Sequence, residues 1–235
     1  KDNVPSFATK IVFDTKSKVE ASVSLPTTPD ASVKDGKIGI YCDNGSEYYI
    51  LSENNEEICM TGSLEVMFYE YKFVTSIELN NFNTAEVTDM SSMFAWCGYL
   101  SSLALGDNFN TAKVTDMGYM FRNCYALASL DLGDYFNTAE VTDMSYMFSN
   151  CKALSSLDLG DNFNTAGVTS MNRMFLYCTA LESLDLGDYF ITAEVTNMSF
   201  MFNSCGNLAT IKVNKDFQLN PELSSASMFS NCKKL

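Results

Sequence analysis

The sequence predicts an α/β solenoid: a right-handed coil with one short parallel strand and one short helix per 27-residue repeat, preceded by a β-rich N-terminal cap. Three observations predict it. Segments beginning at Val87, Val114, Val141, Val168 and Val195 read V-T-[DSN]-M-x-x-M-F-x-x-C, then L-x-[ST]-[LI]-x-[LV], at a 27-residue step. A period of this size marks stacked units, each of which needs its neighbours to bury an apolar wedge. Six cysteines keep the same step. At 46% hydrophobic residues, the chain can also fill one long core.

Residues 1–63 differ from the rest. Val19, Ala21, Val23 and Leu25 alternate as a strand would, and Pro26 to Gly36 reads as a turn-rich connector. Ile38, Ile40 and Cys42 alternate again, followed by Asp43-Asn44-Gly45-Ser46 and Tyr48-Tyr49-Ile50-Leu51. Asn-Gly between two such runs predicts a hairpin. The region reads as a β-rich cap over the first coil, with a small independent domain as the alternative.

Residues 64–235 then form the solenoid, of about six to seven coils. Its first coil is atypical: Leu64, Met67, Phe68, Tyr71, Val74, Ile77, Leu79 and Phe82 keep the spacing with one deletion, and Tyr71 stands where later coils have cysteine. The last coil keeps Met228, Phe229 and Cys232, but Pro221 and Ser225 weaken it and Leu235 leaves it unfinished. If no residues follow in the natural protein, an apolar rung is exposed there and end-to-end self-association is predicted. Starting at Lys1 without Met, the chain reads as a processed or trimmed product.

Within one coil, Met117, Met120, Phe121 and Cys124 fall at i, i+3, i+4 and i+7, the face of a two-turn helix. Asp116 precedes them, with Asp89, Asp143, Ser170 and Asn197 at the equivalent places. All are N-cap types, which favours capping over metal binding. Leu127 and the alternation Leu130-Asp131-Leu132 predict a short strand. Gly133-Asp134 turns the chain, Phe136 plugs the corner, and Asn137-Thr138 begins the return through local backbone bonds. The frame C-x-x-L-x-x-L-x-L makes the coil leucine-rich-repeat-like.

Cys97, Cys124, Cys151, Cys178, Cys205 and Cys232 occupy one site in successive coils, so they read as a structural ladder of buried thiols. Side chains stacked in register point the same way, whereas a disulfide needs converging Cβ vectors. Cys42 and Cys59 stand outside the ladder and are free to pair.

The formal charge of −14 argues against nucleic acid and anionic membrane, and it suits a basic partner or cation. No apolar run approaches a membrane span. With no histidine there is no Ser-His-Asp triad, Cys-His pair or His-metal site, and no phosphate loop is present. The chain is therefore predicted to be no enzyme and to need no cofactor or metal; a cleft where the N-terminal region meets the solenoid is the one place to look for a substrate.

The string Phe82-Asn83-Thr84-Ala85-Glu86-Val87-Thr88-Asp89-Met90-Ser91-Ser92-Met93-Phe94 resembles the repeat of BspA-type leucine-rich surface proteins, in the variant found in mycoplasma-type surface lipoproteins. The resemblance spans 64–235 and, more loosely, 37–63. It implies an extracellular, cell-surface or secreted protein, with adhesion to host or microbial macromolecules as its setting, and it brings no catalytic residues.

Two faces are candidates for binding a host or microbial surface protein or glycan. On the strand face, Asp131, Asp158 and Asp185 stack outward in register, and their mutual repulsion would be relieved by a basic segment or a weak divalent ion. The plainer reading is a solvated face. On the helix face, the position before the second Met of M-x-x-M-F holds Ser92, Tyr119, Tyr146, Arg173 and Phe200, with Trp96, Tyr99, Tyr125, Leu176 and Tyr177 nearby. These vary between coils while core positions do not, and Tyr, Trp and Arg are the types that anchor interfaces. Rings that merely shield coil junctions are the plainer alternative. A carbohydrate-binding component and a passive spacer are the other functional readings.

Overall fold

The computed structural model describes residues 4–5, 7–20, 31–33, 38–43, 45–52, 54, 56–215, 217 and 223–235. Near the N-terminus, β1 (Lys10–Thr15) is followed by α1 (Lys16–Glu20), β2 (Ala31–Val33), β3 (Ile38–Asp43), β4 (Glu47–Ser52) and β5 (Ile58–Ser63). The predicted hairpin is present: β3 and β4 pair antiparallel, from Ile38 opposite Ser52 to Asp43 opposite Glu47, and Gly45 takes a positive φ of 85° in the turn. The Asn44 of that turn lies outside the described residues. Val19 belongs to a helix rather than to the alternating strand read from it, and Ala21, Val23 and Leu25 lie outside the described residues. Within the stretch read as a connector, residues 31–33 form a strand against β3.

The coils add β6 (Ser76–Glu78), β7 (Phe82–Asp89), β8 (Ser102–Ala104), β9 (Ser129–Asp131), β10 (Ser156–Asp158), β11 (Ser183–Asp185) and β12 (Thr210–Lys212). One sheet runs β2-β3-β4-β1-β6-β8, and the pairs β9–β10, β11–β12 and β5–β7 stand separately. Thus β1 lies between the hairpin and the first coil strand, parallel to both β4 and β6. Phe13 presses edge-on against Phe68 and Phe82 of the first coil, at 6.0 and 4.8 Å between centroids. One apolar core continues from Ala8 to Met228, while Val12, Val19, Tyr41, Tyr49 and Leu51 form a second, smaller cluster.

The helix predicted in each repeat is absent. Its segment is two consecutive four-residue turns. In the second full repeat the Met120 N–H donates to Met117 O (3.3 Å) and the Cys124 N–H to Phe121 O (3.2 Å). The third residue of each turn, Tyr119 and then Asn123, has φ of 61° and 63°. Two abutting turns send their first and last residues inward, at i, i+3, i+4 and i+7, which is the spacing of a helix face. Three further N–H groups are satisfied by the next coil: Tyr119 by Ser145 O, Phe121 by Met147 O and Asn123 by Ser149 O, at 2.8 to 2.9 Å. The backbone ladder of this face therefore runs along the solenoid axis, so the helix gives way to the stack.

The predicted capping column holds, around turns instead of helices. Asp116 Oδ1 accepts the Gly118 N–H at 2.8 Å, and Asp89, Asp143 and Asn197 do the same two residues on. The corner threonines reach beyond their own loop: buried Thr111, Thr138 and Thr165 each donate to a carbonyl of the following coil at 2.7 Å. The Phe of each M-F pair forms a second column. From Phe68 through Phe94, Phe121, Phe148, Phe175 and Phe202 to Phe229, the rings stack 5.3 to 5.6 Å apart and within 9° of parallel. Among the described residues no helix is long and apolar enough to cross a membrane.

Candidate functional site

The six ladder cysteines lie in one column, and no disulfide joins them or Cys42 and Cys59. Each ladder S–H donates to the carbonyl of a phenylalanine one coil back, as Cys151 does to Phe121 O at 3.2 Å. Burial pushes the Cys151 and Cys205 thiols up to about 12, and those of Cys124 and Cys178 upward also. Reactive thiols are low-pKa and exposed, so this column has the opposite character.

On the strand face, Asp131 lies opposite Asp158 in the β9–β10 register, and all three aspartates are exposed along a groove of about 670 Å³. Each carboxylate is already engaged. Asp131, Asp158 and Asp185 accept the N–H of Gly133, Gly160 and Gly187 at 2.9 to 3.0 Å, holding the turn that leaves the strand. Asp185 also meets Lys212 of the next coil at 2.7 Å, and that ammonium holds its carboxyl below the usual range. Among the described residues no three acidic or thiol groups converge as a metal site would require. The register that stacks these residues spaces them one coil apart instead of focusing them.

The turn face brings the aromatic candidates together. Tyr119 and Tyr146 stack at 4.7 Å and 11°, and the Arg173 guanidinium continues the pile, 5.3 Å from Tyr146 and 4.5 Å from Phe200. Small Ser92 and Ser227 hold the same place in the coils at either end. Tyr119, Tyr146, Arg173 and Phe200 all adopt φ between 56° and 61°. A left-handed backbone costs an ordinary L-residue roughly 1–2 kcal/mol, and bulky residues are rare there. Burial raises the Tyr119 phenol, so its hydroxyl is a neutral donor. Burial likewise raises Asp116 beneath this face, with the Asp143 and Asp89 charges adding to it and the Gly118 N–H opposing.

The other rings separate. Trp96 joins the ridge through Arg122, 6.0 Å from its ring. Tyr125 packs against Gly98, where an added Cβ would meet its ring at 3.1 Å, and it carries the Lys152 ammonium at 5.1 Å. Tyr99 and Tyr177 are exposed. Sequence reasoning missed Arg122, whose guanidinium forms a nearly equilateral triangle with the Tyr119 and Tyr146 centroids, at 5.3 and 5.1 Å. It lies beside the pair and touches both rings. The available signal was composition: Arg122 and Arg173 are the two arginines of the whole chain, and both meet one ring stack. Tyr135 and Tyr189, exposed at the strand-exit corner, were also missed.

Fold and face together define a class, a leucine-rich-repeat-like solenoid with one side-chain column per coil position. A family profile described as "Mycoplasma protein of unknown function, DUF285" matches residues 62–161 and 134–235, and the chain belongs to that family. No curated protein sequence matches it. Among solved structures it is similar to a leucine-rich-repeat protein from T. pallidum, at 13% identity over 79% of this chain and 84% of that one, with a TM-score of 0.43. It is also similar to a leucine-rich-repeat protein from Bacteroides ovatus (16%, 79% and 53%, 0.40). A third is a leucine-rich cell surface protein from Faecalibacterium prausnitzii (14%, 89% and 94%, 0.29).

Proposed function

We propose that the chain is a non-catalytic surface or secreted protein that adheres to host or microbial macromolecules through the ridge Tyr119–Tyr146–Arg173–Phe200. One observation carries this reading: four large side chains occupy left-handed positions, where glycine or asparagine would cost less, and together they make one continuous half-buried stack on the surface. The same left-handed φ recurs at this place from Val66 to Ser227, so the turn sets the backbone, and what sets these four coils apart is that large rings and a guanidinium occupy it and stack. The buried thiols and the lack of histidine support a non-catalytic role, and the resemblance of the repeat to BspA-type proteins supports a surface setting. The strand face ranks second, because its aspartates already hold turns and Lys212.

The test compares three proteins on a panel of matrix proteins and glycans: the native chain, a ridge variant (Tyr119→Ser, Tyr146→Ser, Phe200→Ser) and a strand variant (Asp131→Asn, Asp158→Asn, Asp185→Asn). Capture should disappear in the ridge variant and persist in the strand variant. Loss in the strand variant alone would overturn the assignment.

A further inference from the structure

The strand-exit corner carries a second surface, separate from the ridge. Three grooves run along it, of about 300, 670 and 490 Å³. Asp131 lines the first and the second, and Asp161 lines the second and the third, so the three make one open track across the coils. Its floor is bare where Gly133, Gly160 and Gly187 turn the chain away from the strands: a Cβ added at any of them would meet nothing within 4 Å. Among the described residues no lysine or arginine lines the track.

Two exposed tyrosines stand on it. Tyr135, 56% exposed, lines the first groove, and Tyr189, 54% exposed, lines the third. They hold one place two coils apart, and exposed Asn162 holds that place in the coil between them. At one strand spacing per coil, their backbones are about 10 Å apart. Hydrogen-bonding groups line the same groove as Tyr189. Asn137 and Asn164 accept the Ala139 and Ala166 N–H groups at Oδ1, both at 2.9 Å, so their Nδ2 groups remain to donate. Asn162 does the reverse: its Nδ2 donates to Asp134 O at 2.7 Å, and its Oδ1 remains to accept.

Tyrosine has an apolar body and a polar tip, and amides and carboxylates pair with hydroxyl groups. Together they fit a sugar chain. Charge selects a neutral one, because a track of aspartates on a chain of net charge −14 repels uronic or sulfated glycans. Spacing selects the linkage. In an extended β-1,4-linked chain each sugar is turned over relative to the last, so alternate sugars show the same face, at a repeat close to two coil steps. An extended peptide shows the same face about every 6.8 Å, out of step with the stack.

We propose that Tyr135 and Tyr189, with Asn137, Asn162 and Asn164, form a binding track for a neutral β-1,4-linked polysaccharide lying along the solenoid axis. The track goes beyond the ridge assignment and does not depend on it, so glycans of this class are scored apart from the ridge's panel.

The full chain is titrated calorimetrically with cellohexaose, maltohexaose and decalysine. Cellohexaose should bind saturably, and the curved, α-linked maltohexaose at least about tenfold more weakly. The deciding variant exchanges two residues, Tyr135→Asn with Asn162→Tyr. It keeps the composition and gives each place a residue type that a neighbouring coil has there, but it sets the two rings one coil apart. Its thermal transition should be native and its cellohexaose affinity at least about tenfold lower. The ridge variant (Tyr119→Ser, Tyr146→Ser, Phe200→Ser) should bind cellohexaose as the native chain does. Equal affinity for maltohexaose overturns the proposal, as does unchanged affinity in the exchange variant or loss of cellohexaose binding in the ridge variant. Binding of decalysine without cellohexaose overturns it in favour of a basic polypeptide. If cellohexaose fails to bind while the ridge variant still loses capture on the panel, the track falls and the recognition face stands.

Discussion

At the level of single residues, the cysteine column shows how one side chain repeated per coil becomes a property of the molecule. The 27-residue step was enough to place the thiols in a column, because identical spacing forces identical position. It did not show that each S–H would reach a phenylalanine carbonyl one coil back, since that depends on how neighbouring turns are offset. The thiols also set a pH limit. Their folded values lie above the ordinary value of 9.0, up to about 12 for Cys151 and Cys205. Below pH 9 both folded and unfolded chains keep these protons. Above it the unfolded chain loses them while the native chain holds them, so stability falls as pH rises from 9 toward 12. The slope is about 1.4 kcal/mol per pH unit for each such thiol. Denaturant midpoints measured between pH 8 and 11 should decline, and Cys151→Ala should decline less steeply than the native chain. Parallel slopes would show that Cys151 takes no part.

At the level of the element, the i, i+3, i+4, i+7 pattern was misread as a helix because two abutting turns bury the same four positions. A distinguishing signal was present. Asn123, Asn150 and Asn231 recur at the third place of the second turn, and asparagine is enriched where φ is positive. The strands were legible from Leu-x-Leu alternation, and the capping column was legible from its short polar side chains. The backbone ladder along the axis was not, because it joins residues 26 apart through main-chain atoms that carry no sequence signature. Ser92, at φ 55°, gives a test whose sign separates the two structures. In a helix, glycine at this place costs about 0.5–1 kcal/mol. In the turn, Ser92→Gly relieves left-handed strain that outweighs the added freedom of the unfolded chain, for a net gain of about 0.5–1 kcal/mol. Urea denaturation with a raised midpoint supports the turn, and a lowered one contradicts it.

At the level of the whole molecule, nearest-neighbour stacking does two jobs. Inward columns of Leu, Met, Phe, Val and Cys hold the solenoid together. Outward columns carry whatever packing leaves free, and there the coils differ. The candidate face was legible because Ser92, Tyr119, Tyr146, Arg173 and Phe200 vary while the core does not. The backbone strain beneath those side chains was hidden, since it follows from the turns. The central claim is that these rings are kept for recognition at a cost to the backbone, and Tyr146, in the middle of the stack, tests it most directly. Tyr146→Gly forfeits ring stacking and partial burial but relieves left-handed strain, so unfolding free energy should fall by less than about 2 kcal/mol. Capture of a ligand found on the panel should fall at least about tenfold. Measuring both quantities on this one variant decides the matter: near-native stability with lost capture is the predicted result, and collapsed stability with capture retained by the surviving fold would contradict it.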